Sequence, residues 1–198
     1  MSKVDKKIES GALKKWNINK KVGLPCGKGS TLEATEEVRK FIEKVIVDYN
    51  IKSIVDAPCG DYLWMNYVDK HGASYKGYDI NNKMLEEMRT KYKGVEFYHL
   101  DIVNELLPTS DLIICRDCLF HLTTEAGVKA LKNFKKTNSK YLMTTTFDTV
   151  NKNVNLPEND EYGFRKINIK ISPYNLENEL IRIYEPRDDR YFGLWKLN

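Results

Sequence analysis

The sequence predicts an α/β protein: an open sheet of about seven strands, mostly parallel with an antiparallel C-terminal hairpin, and helices on both faces. Three observations carry this reading. Short apolar runs alternate with helical spacing from residue 30 to about residue 147, as parallel strands joined by crossover helices require. The first three of those runs each end in a carboxylate, Asp56, Asp79 and Asp101. The last quarter then changes to two β-rich runs around Pro186-Arg187-Asp188-Asp189-Arg190, which reads as a hairpin.

Residues 1 to about 28 are rich in Lys and carry Trp16, Gly23, Pro25 and Gly27 with little periodicity, so an extended arm with a loop is expected. Such an arm can lie over a site; residues 1–29 are read as an arm or lid on a single domain spanning 30–198. Ser30-Thr31-Leu32-Glu33 has the form of a capping box, with Thr31 and Thr35 as alternative caps. Val38, Phe41, Ile42, Val45, Ile46 and Tyr49 then recur at three- and four-residue steps, one apolar helix face. Ser53 to Val55 is the first strand, and it runs into the turn Asp56-Ala57-Pro58-Cys59-Gly60-Asp61. A helix is expected next, with Leu63, Trp64, Tyr67 and Val68 inward and a stop near Gly72.

Tyr75 to Ile80 is the second strand. Asn82 is placed to cap a helix that turns Met84, Leu85, Met88 and Tyr92 inward, with Gly94 just past its end. Val95 to Leu100 forms the third strand, and Asp111 to Cys115, nearly all apolar, a fourth of the kind covered on both faces. A helix from near Thr124 carries Val128, Leu131 and Phe134, and Tyr141 to Phe147 is a fifth strand rich in Thr and Tyr. Residues 148–165 read as a loop of a length that is usually functional or mobile. Ile167, Ile169 and Ile171 alternate as in an extended segment, and Leu180 to Tyr184 with Tyr191 to Leu197 complete the hairpin.

Composition narrows the function. At 198 residues the chain can bury one sizeable core. A net charge of +4 admits an anionic small molecule and gives no reason to expect nucleic acid, which needs a clustered basic stripe. No stretch approaches the roughly 20 apolar residues of a membrane span and the polar start has no signal-peptide core, so a cytoplasmic protein without a membrane partner is expected. Cys26, Cys59, Cys115 and Cys118 are then reduced thiols. Cys115-Arg116-Asp117-Cys118 is formally a CxxC pair, but two further ligands at paired spacing are missing and no metal is expected.

In an open α/β sheet the carboxyl ends of the strands form the binding crevice, which gathers Asp56, Asp79 and Asp101 on one rim. From Asp56 to Asp79 is 23 residues, close to the roughly 20 that separate a glycine turn from a ribose-binding acid. Asp79 is therefore the strongest site candidate, since a carboxylate accepts from adjacent ribose hydroxyls. The turn itself is a poor phosphate cradle, with one Gly among bulkier groups and an acid at Asp61. It suits instead a ligand bearing an amine and a sulfonium.

On these residues the chain resembles the class I S-adenosylmethionine-dependent methyltransferases over roughly residues 30 to 198. The turn Asp56 to Asp61 is similar to that family's acidic, glycine-rich loop, with Pro58 in place of its first Gly and Tyr62 of its last. Gly77-Tyr78-Asp79-Ile80 is similar to its ribose-binding segment and Leu100-Asp101-Ile102 to its adenine-contacting one. The resemblance implies a Rossmann-like sheet with S-adenosylmethionine as cofactor and S-adenosylhomocysteine as product. It implies cofactor contacts at Asp56, Pro58, Gly60, Asp79, Ile80, Asp101, Ile102 and Arg116. Tyr141 to Thr146, Gly163-Phe164-Arg165 and Gly193-Leu194-Trp195 look like a subgroup of small bacterial methyltransferases, several associated with surface carbohydrates.

The segment after the fourth strand, Cys115 to Leu122, stands where the family places its methyl-transfer residues, so Arg116, Asp117 and His121 are the catalytic candidates. A hydroxyl acceptor needs its proton removed, and a neutral His suits that near pH 7. An acidic acceptor needs no base, and His121, Arg116 and Arg165 would then bind its charge. His71 and His99 look structural by position. Arg165, Trp16 and Tyr62 are candidate acceptor contacts, with core or lid packing as the alternative for Trp16. The expected reaction is methyl transfer to an oxygen of a small-molecule acceptor: a sugar, a phosphorylated or a nucleotide-linked metabolite. RNA or protein methylation, or a non-catalytic nucleotide-binding module, are the alternatives.

Overall fold

The structure, a computed structural model, describes residues 3–21, 23–156 and 163–197. Seven strands form one sheet in the order β3-β2-β1-β4-β5-β7-β6. They are β1 Ser53–Asp56, β2 Ser74–Asp79, β3 Glu96–His99, β4 Leu112–Cys115, β5 Tyr141–Thr146, β6 Glu179–Glu185 and β7 Arg190–Lys196. The first five pair in parallel. Strand β7 inserts antiparallel between β5 and β6. Chain order reverses at the β1–β4 junction, and both strands end there on the same rim, where ligands bind in open α/β sheets.

Alternation along the strands splits the interior into two layers. Ile54, Leu112, Ile114, Met143, Phe192 and Leu194 face one side, where helices α2 (Glu36–Asp48) and α3 (Asn82–Lys91) cover them. Val55, Ile113, Cys115, Leu142 and Trp195 face the other, against α4 (Thr124–Lys136) and the segment carrying Ile167, Ile169 and Tyr174. The α2 face is as its spacing predicts: Val38, Phe41, Ile42, Val45 and Ile46 are buried. Its Ser30 capping box does not form. Thr31 Oγ1 accepts from Ala34 N at 3.1 Å, and Thr35 stands at the cap position without a side-chain cap bond.

Three expectations are corrected. The N-terminal arm is not extended: α1 runs over Lys3–Lys21. Its helix is held by docking rather than by its own periodicity, because Trp16 is buried and Lys20 pairs with Glu87 of α3 at 2.6 Å. The helix expected after the β1 turn is only a single tight turn over Met65–Tyr67. Tyr62 at φ 56° interrupts the path there, and Tyr67, expected inward, is exposed while Met65 is buried. The α3 cap is Asn81, which accepts from Met84 N at 3.1 Å, and not Asn82. Ile167 and Ile169, read as part of an extended segment, are buried beside the sheet without forming a strand of it, and Phe147 N donates to Ile167 O at 2.8 Å. Residues 157–162 of the expected long loop lie outside the described residues.

Candidate functional site

A cavity of about 380 Å³ opens at the carboxyl ends of β1, β2 and β4. Its size lies in the range of small-molecule sites. Asp79 and Asp101 line one end. Asp79, at the last position of β2, takes Asn81 N on Oδ1 at 2.9 Å and Gly60 N on Oδ2 at 3.2 Å. Burial nevertheless raises its pKa to about 6, against the lowering effect of those N–H donors. Asp101 accepts from Val103 N at 2.8 Å and Asn104 Nδ2 at 2.7 Å. Ile80, Met84, Leu100 and Ile102 add an apolar wall between the two acids.

The β1 turn passes beneath this end with its amides engaged. Cys59 N donates to Tyr78 O at 2.8 Å, Gly60 N to Asp79, and Asp61 N to Cys26 Sγ at 3.2 Å. A phosphate would find no open nest of N–H groups here. Gly60 sits at φ 56°, and a Cβ on it would come within 3.0 Å of Cys26 Sγ, so the turn and the arm can close together only at a glycine. Pro58 and Asp61 also line the cavity.

Arg116, Asp117 and His121 line the other end, all in the segment after β4. Asp117 sits at φ 54°. Its Oδ1 accepts from Thr145 Oγ1 at 3.0 Å, and its Oδ2 lies 3.2 Å from Arg116 Nη1 and 3.0 Å from Arg190 Nη2. Burial pushes the Asp117 carboxyl up, but the two guanidinium charges outweigh it and hold it below its usual range. Glu185, at the end of β6, receives both arginines, Arg116 Nη2 at 2.7 Å and Arg190 Nη2 at 3.1 Å. Arg116 Nη1 also donates to Gly29 O of the arm at 3.1 Å.

His121 Nδ1 lies 2.6 Å from Gly163 O. A carbonyl only accepts, so Nδ1 carries the proton and the lone pair of the neutral ring is on Nε2. Burial lowers the His121 pKa, partly offset by the Gly163 bond and the Asp117 charge. The ring therefore stays neutral to lower pH than an ordinary histidine.

Not every expected contact reaches the cavity. Asp56 is buried below the turn, accepts from Tyr75 OH at 2.8 Å and is absent from the cavity wall; burial raises its pKa to about 7. Tyr62, expected against the acceptor, is instead packed among Tyr75, Tyr92 and Phe97 at ring distances of 5.0–5.3 Å. Arg165 does not meet the cavity either. Its guanidinium donates to Phe120 O, Leu122 O, Val154 O at 2.7 Å and Tyr174 OH at 2.9 Å, so it clamps the backbone around His121. Trp16 does line the cavity, under the Nζ atoms of Lys20 and Lys83 at 4.6 and 6.0 Å.

Several wall residues had no place in the sequence-based expectation. Arg190 and Asp188 arrive from the hairpin tip, and Gly29, Ser30 and Cys26 from the arm. Their signals were faint: four charges in a short loop between apolar strands, and a Gly-Lys-Gly-Ser run before a helix.

Residues 54–138 match the family model described as a methyltransferase domain. No curated protein matches the chain. Among solved structures, it resembles the Burkholderia thailandensis 1,6-didemethyltoxoflavin-N1-methyltransferase with bound 1,6-didemethyltoxoflavin and S-adenosylhomocysteine, at TM-score 0.65 and 10% identity, covering 96% of this chain and 87% of that one. It also resembles a Clostridium acetobutylicum S-adenosylmethionine-dependent methyltransferase, at TM-score 0.62 and 15% identity over 81% of this chain and 90% of that one. A third is the Synechocystis magnesium protoporphyrin IX methyltransferase with bound S-adenosylmethionine, at TM-score 0.58 and 18% identity over 83% and 77% of the two chains. These likenesses establish a common fold, and the part of it spanning residues 54–138 is what matches the methyltransferase domain. No helix among the described residues is long and apolar enough to cross a membrane.

Proposed function

We propose that this S-adenosylmethionine-dependent methyltransferase delivers its methyl group to an oxygen of a small-molecule acceptor, with His121 as the general base. The acceptor classes are a sugar, such as surface polysaccharides contain, or a phosphorylated or nucleotide-linked metabolite. The orientation of His121 carries the reading: Gly163 O fixes the proton on Nδ1 and leaves the basic lone pair on Nε2, on a ring that lines the cavity. A small-molecule acceptor is in keeping with the bound 1,6-didemethyltoxoflavin of the Burkholderia enzyme.

The residues present fit the cofactor. Asp79 is buried yet has lone pairs beyond the two that Gly60 and Asn81 engage, which suits a pair of ribose hydroxyls. Asp101, Ile80 and Ile102 form a slot with an apolar wall and an acid for the adenine. Asp61, with the turn's amides tied back, suits a cationic ligand better than a phosphate. When bound, S-adenosylmethionine supplies an electrophilic methyl on a sulfonium sulfur and leaves as neutral S-adenosylhomocysteine.

The protein's own part is position and proton transfer. Arg116, stacked over Trp64 at 5.6 Å and tied to Gly29 and Glu185, holds the arm against the end of β4. His121 Nε2 would take the proton of the acceptor hydroxyl as its oxygen attacks the methyl that bound S-adenosylmethionine would supply, with the thioether as leaving group. The imidazolium then returns the proton to solvent. Asp117, at the same end of the cavity, stabilises that charge.

Incubation with S-adenosylmethionine and pooled small-molecule extracts tests the reading by mass spectrometry. The expected result is an oxygen-methylated product that His121→Ala abolishes while S-adenosylhomocysteine still binds. Methylation of RNA or protein in place of small molecules, or unchanged turnover in His121→Ala, would contradict it.

A further inference from the structure

Among the described residues the cavity wall holds five carboxylates, Asp61, Asp79, Asp101, Asp117 and Asp188, against three cations, Lys15, Arg116 and Arg190. Both arginines are already engaged. Arg116 contacts Asp117 and Glu185; Arg190 contacts Asp117, Glu185 and, at 3.5 Å, Asp188. Lys15, the third cation, stands exposed on α1. At the His121 end an anionic group therefore meets Asp117 and Asp188 on the wall, and finds both arginines already paired with Asp117, Glu185 and Asp188. This separates the two acceptor chemistries that the sequence left open.

Asp117 adds a second observation. An ionised carboxylate offers about four lone-pair sites. Three are taken, by Thr145 on Oδ1 and by Arg116 and Arg190 on Oδ2. One site on Oδ1 remains, on a side chain that lines the cavity and is 20% exposed. Those three contacts hold the carboxylate in place, and Asp117 N donates to Thr145 Oγ1 at 3.1 Å beside them. A Cβ at Gly29 would stand 3.3 Å from Asp117 Oδ2. Beside it, Phe120 and Phe164 meet edge to face at 5.2 Å and border the His121 ring, giving the same end of the cavity an apolar side.

We propose that the acceptor is uncharged at its reacting end and carries adjacent hydroxyls: one loses its proton to His121, and its neighbour donates to the open site on Asp117 Oδ1. Asp117 is thereby the specificity-determining residue, with Arg190 and Glu185 positioning it. Phosphate and carboxylate groups are turned away from this end. The inference rests on the reading of His121 as the base for a hydroxyl acceptor, and goes beyond it by choosing the acceptor's charge and its second recognition group.

The test uses the full chain saturated with S-adenosylhomocysteine and saturation-transfer NMR. The probes are methyl glucoside, methyl mannoside and methyl galactoside against glucuronate and a hexose monophosphate. At least one neutral glycoside is expected to bind, with the anionic sugars weaker by roughly tenfold or more. Asp117→Asn, which keeps the shape and reverses half of the hydrogen-bonding character, should weaken the neutral sugar by a similar factor. Its affinity for S-adenosylhomocysteine and its melting temperature serve as the control for folding. Stronger binding of glucuronate or the phosphate, no binding of any glycoside, or an Asp117→Asn protein that binds the glycoside unchanged would each overturn the proposal. Failure of the underlying reading is visible separately: the chain would then not bind S-adenosylhomocysteine, or His121→Ala would keep full turnover.

Discussion

At the Asp79 end of the cavity the acids Asp61, Asp79 and Asp101 come from successive strand ends and turns between β1 and the residues after β3. At the Asp117 end the contacts are gathered from the segment after β4, the hairpin tip 69 residues further on and the Gly29 arm 87 residues back. The first end is local architecture: a strand places an acid on the rim and the next turn closes over it. The second is a set of long-range ion pairs, and it has a form only once the whole sheet is assembled. On the proposed reading, cofactor recognition belongs to the sheet rim and acceptor recognition to the segments that converge on it.

Breaking the acceptor end at its base should give the largest effect. His121→Ala is expected to lower kcat by about 10²–10⁴-fold while the affinity for S-adenosylhomocysteine stays near wild type. The base works only when neutral, and burial lowers its pKa. Activity should thus hold on the alkaline side and fall only at a pH below the usual histidine range. A pH–rate profile with its acid limb at or above that range would place the base elsewhere.

Arg165→Ala comes next. It leaves the carbonyls of Phe120, Leu122 and Val154 without their shared donor. A loss of about 3 kcal/mol is expected in denaturant unfolding, with no rescue by Lys, which lacks the planar fork. S-adenosylhomocysteine binding by the folded fraction should change little, because the damage lies at the acceptor end. A large loss of cofactor affinity would mean that the two ends are not separable.

The smallest effect is one of pH. Asp79 and Asp56 have folded pKa values of about 6 and about 7, both raised by burial from an ordinary 3.8. The folded, ligand-free protein therefore binds more protons than the unfolded chain between pH 4 and 7. These two groups make it more stable toward the acid side of that window and less stable as pH rises through it. Cofactor binding has the opposite sign. Ribose hydroxyls select the Asp79 carboxylate, so affinity should weaken as pH falls below about 6. Calorimetry in buffers of different ionisation enthalpy should register proton release on binding near that pH.

The contrast between the two ends also explains what the sequence could convey. The strand-end acids were legible because period-two runs stop where the sheet stops, and Asp79 and Asp101 do meet in one cavity. Asp56, read the same way, falls below the turn, because the side chain at the end of β1 meets Tyr75 of β2. Helix α1 was missed since the contacts that dock it, Lys83 over Trp16 and Glu87 beside Lys20, come from α3. Arg165 was visible as a charge near the site, but nothing local reveals that its partners are backbone carbonyls. Glu185 and Arg190 carry no spacing signal toward Arg116 and Asp117; their meeting is a consequence of β7 inserting beside β5.

The claim that cofactor and acceptor recognition reside at opposite ends of one cavity is tested most directly by titrating S-adenosylhomocysteine calorimetrically into three proteins: wild type, Asp79→Ala and His121→Ala. Wild type and His121→Ala should bind with affinities within about twofold of each other, and Asp79→Ala should lose roughly 100-fold or more, as expected when two hydrogen bonds to a buried carboxylate are removed. Equal binding by wild type and Asp79→Ala, or loss of binding in His121→Ala, would contradict the assignment.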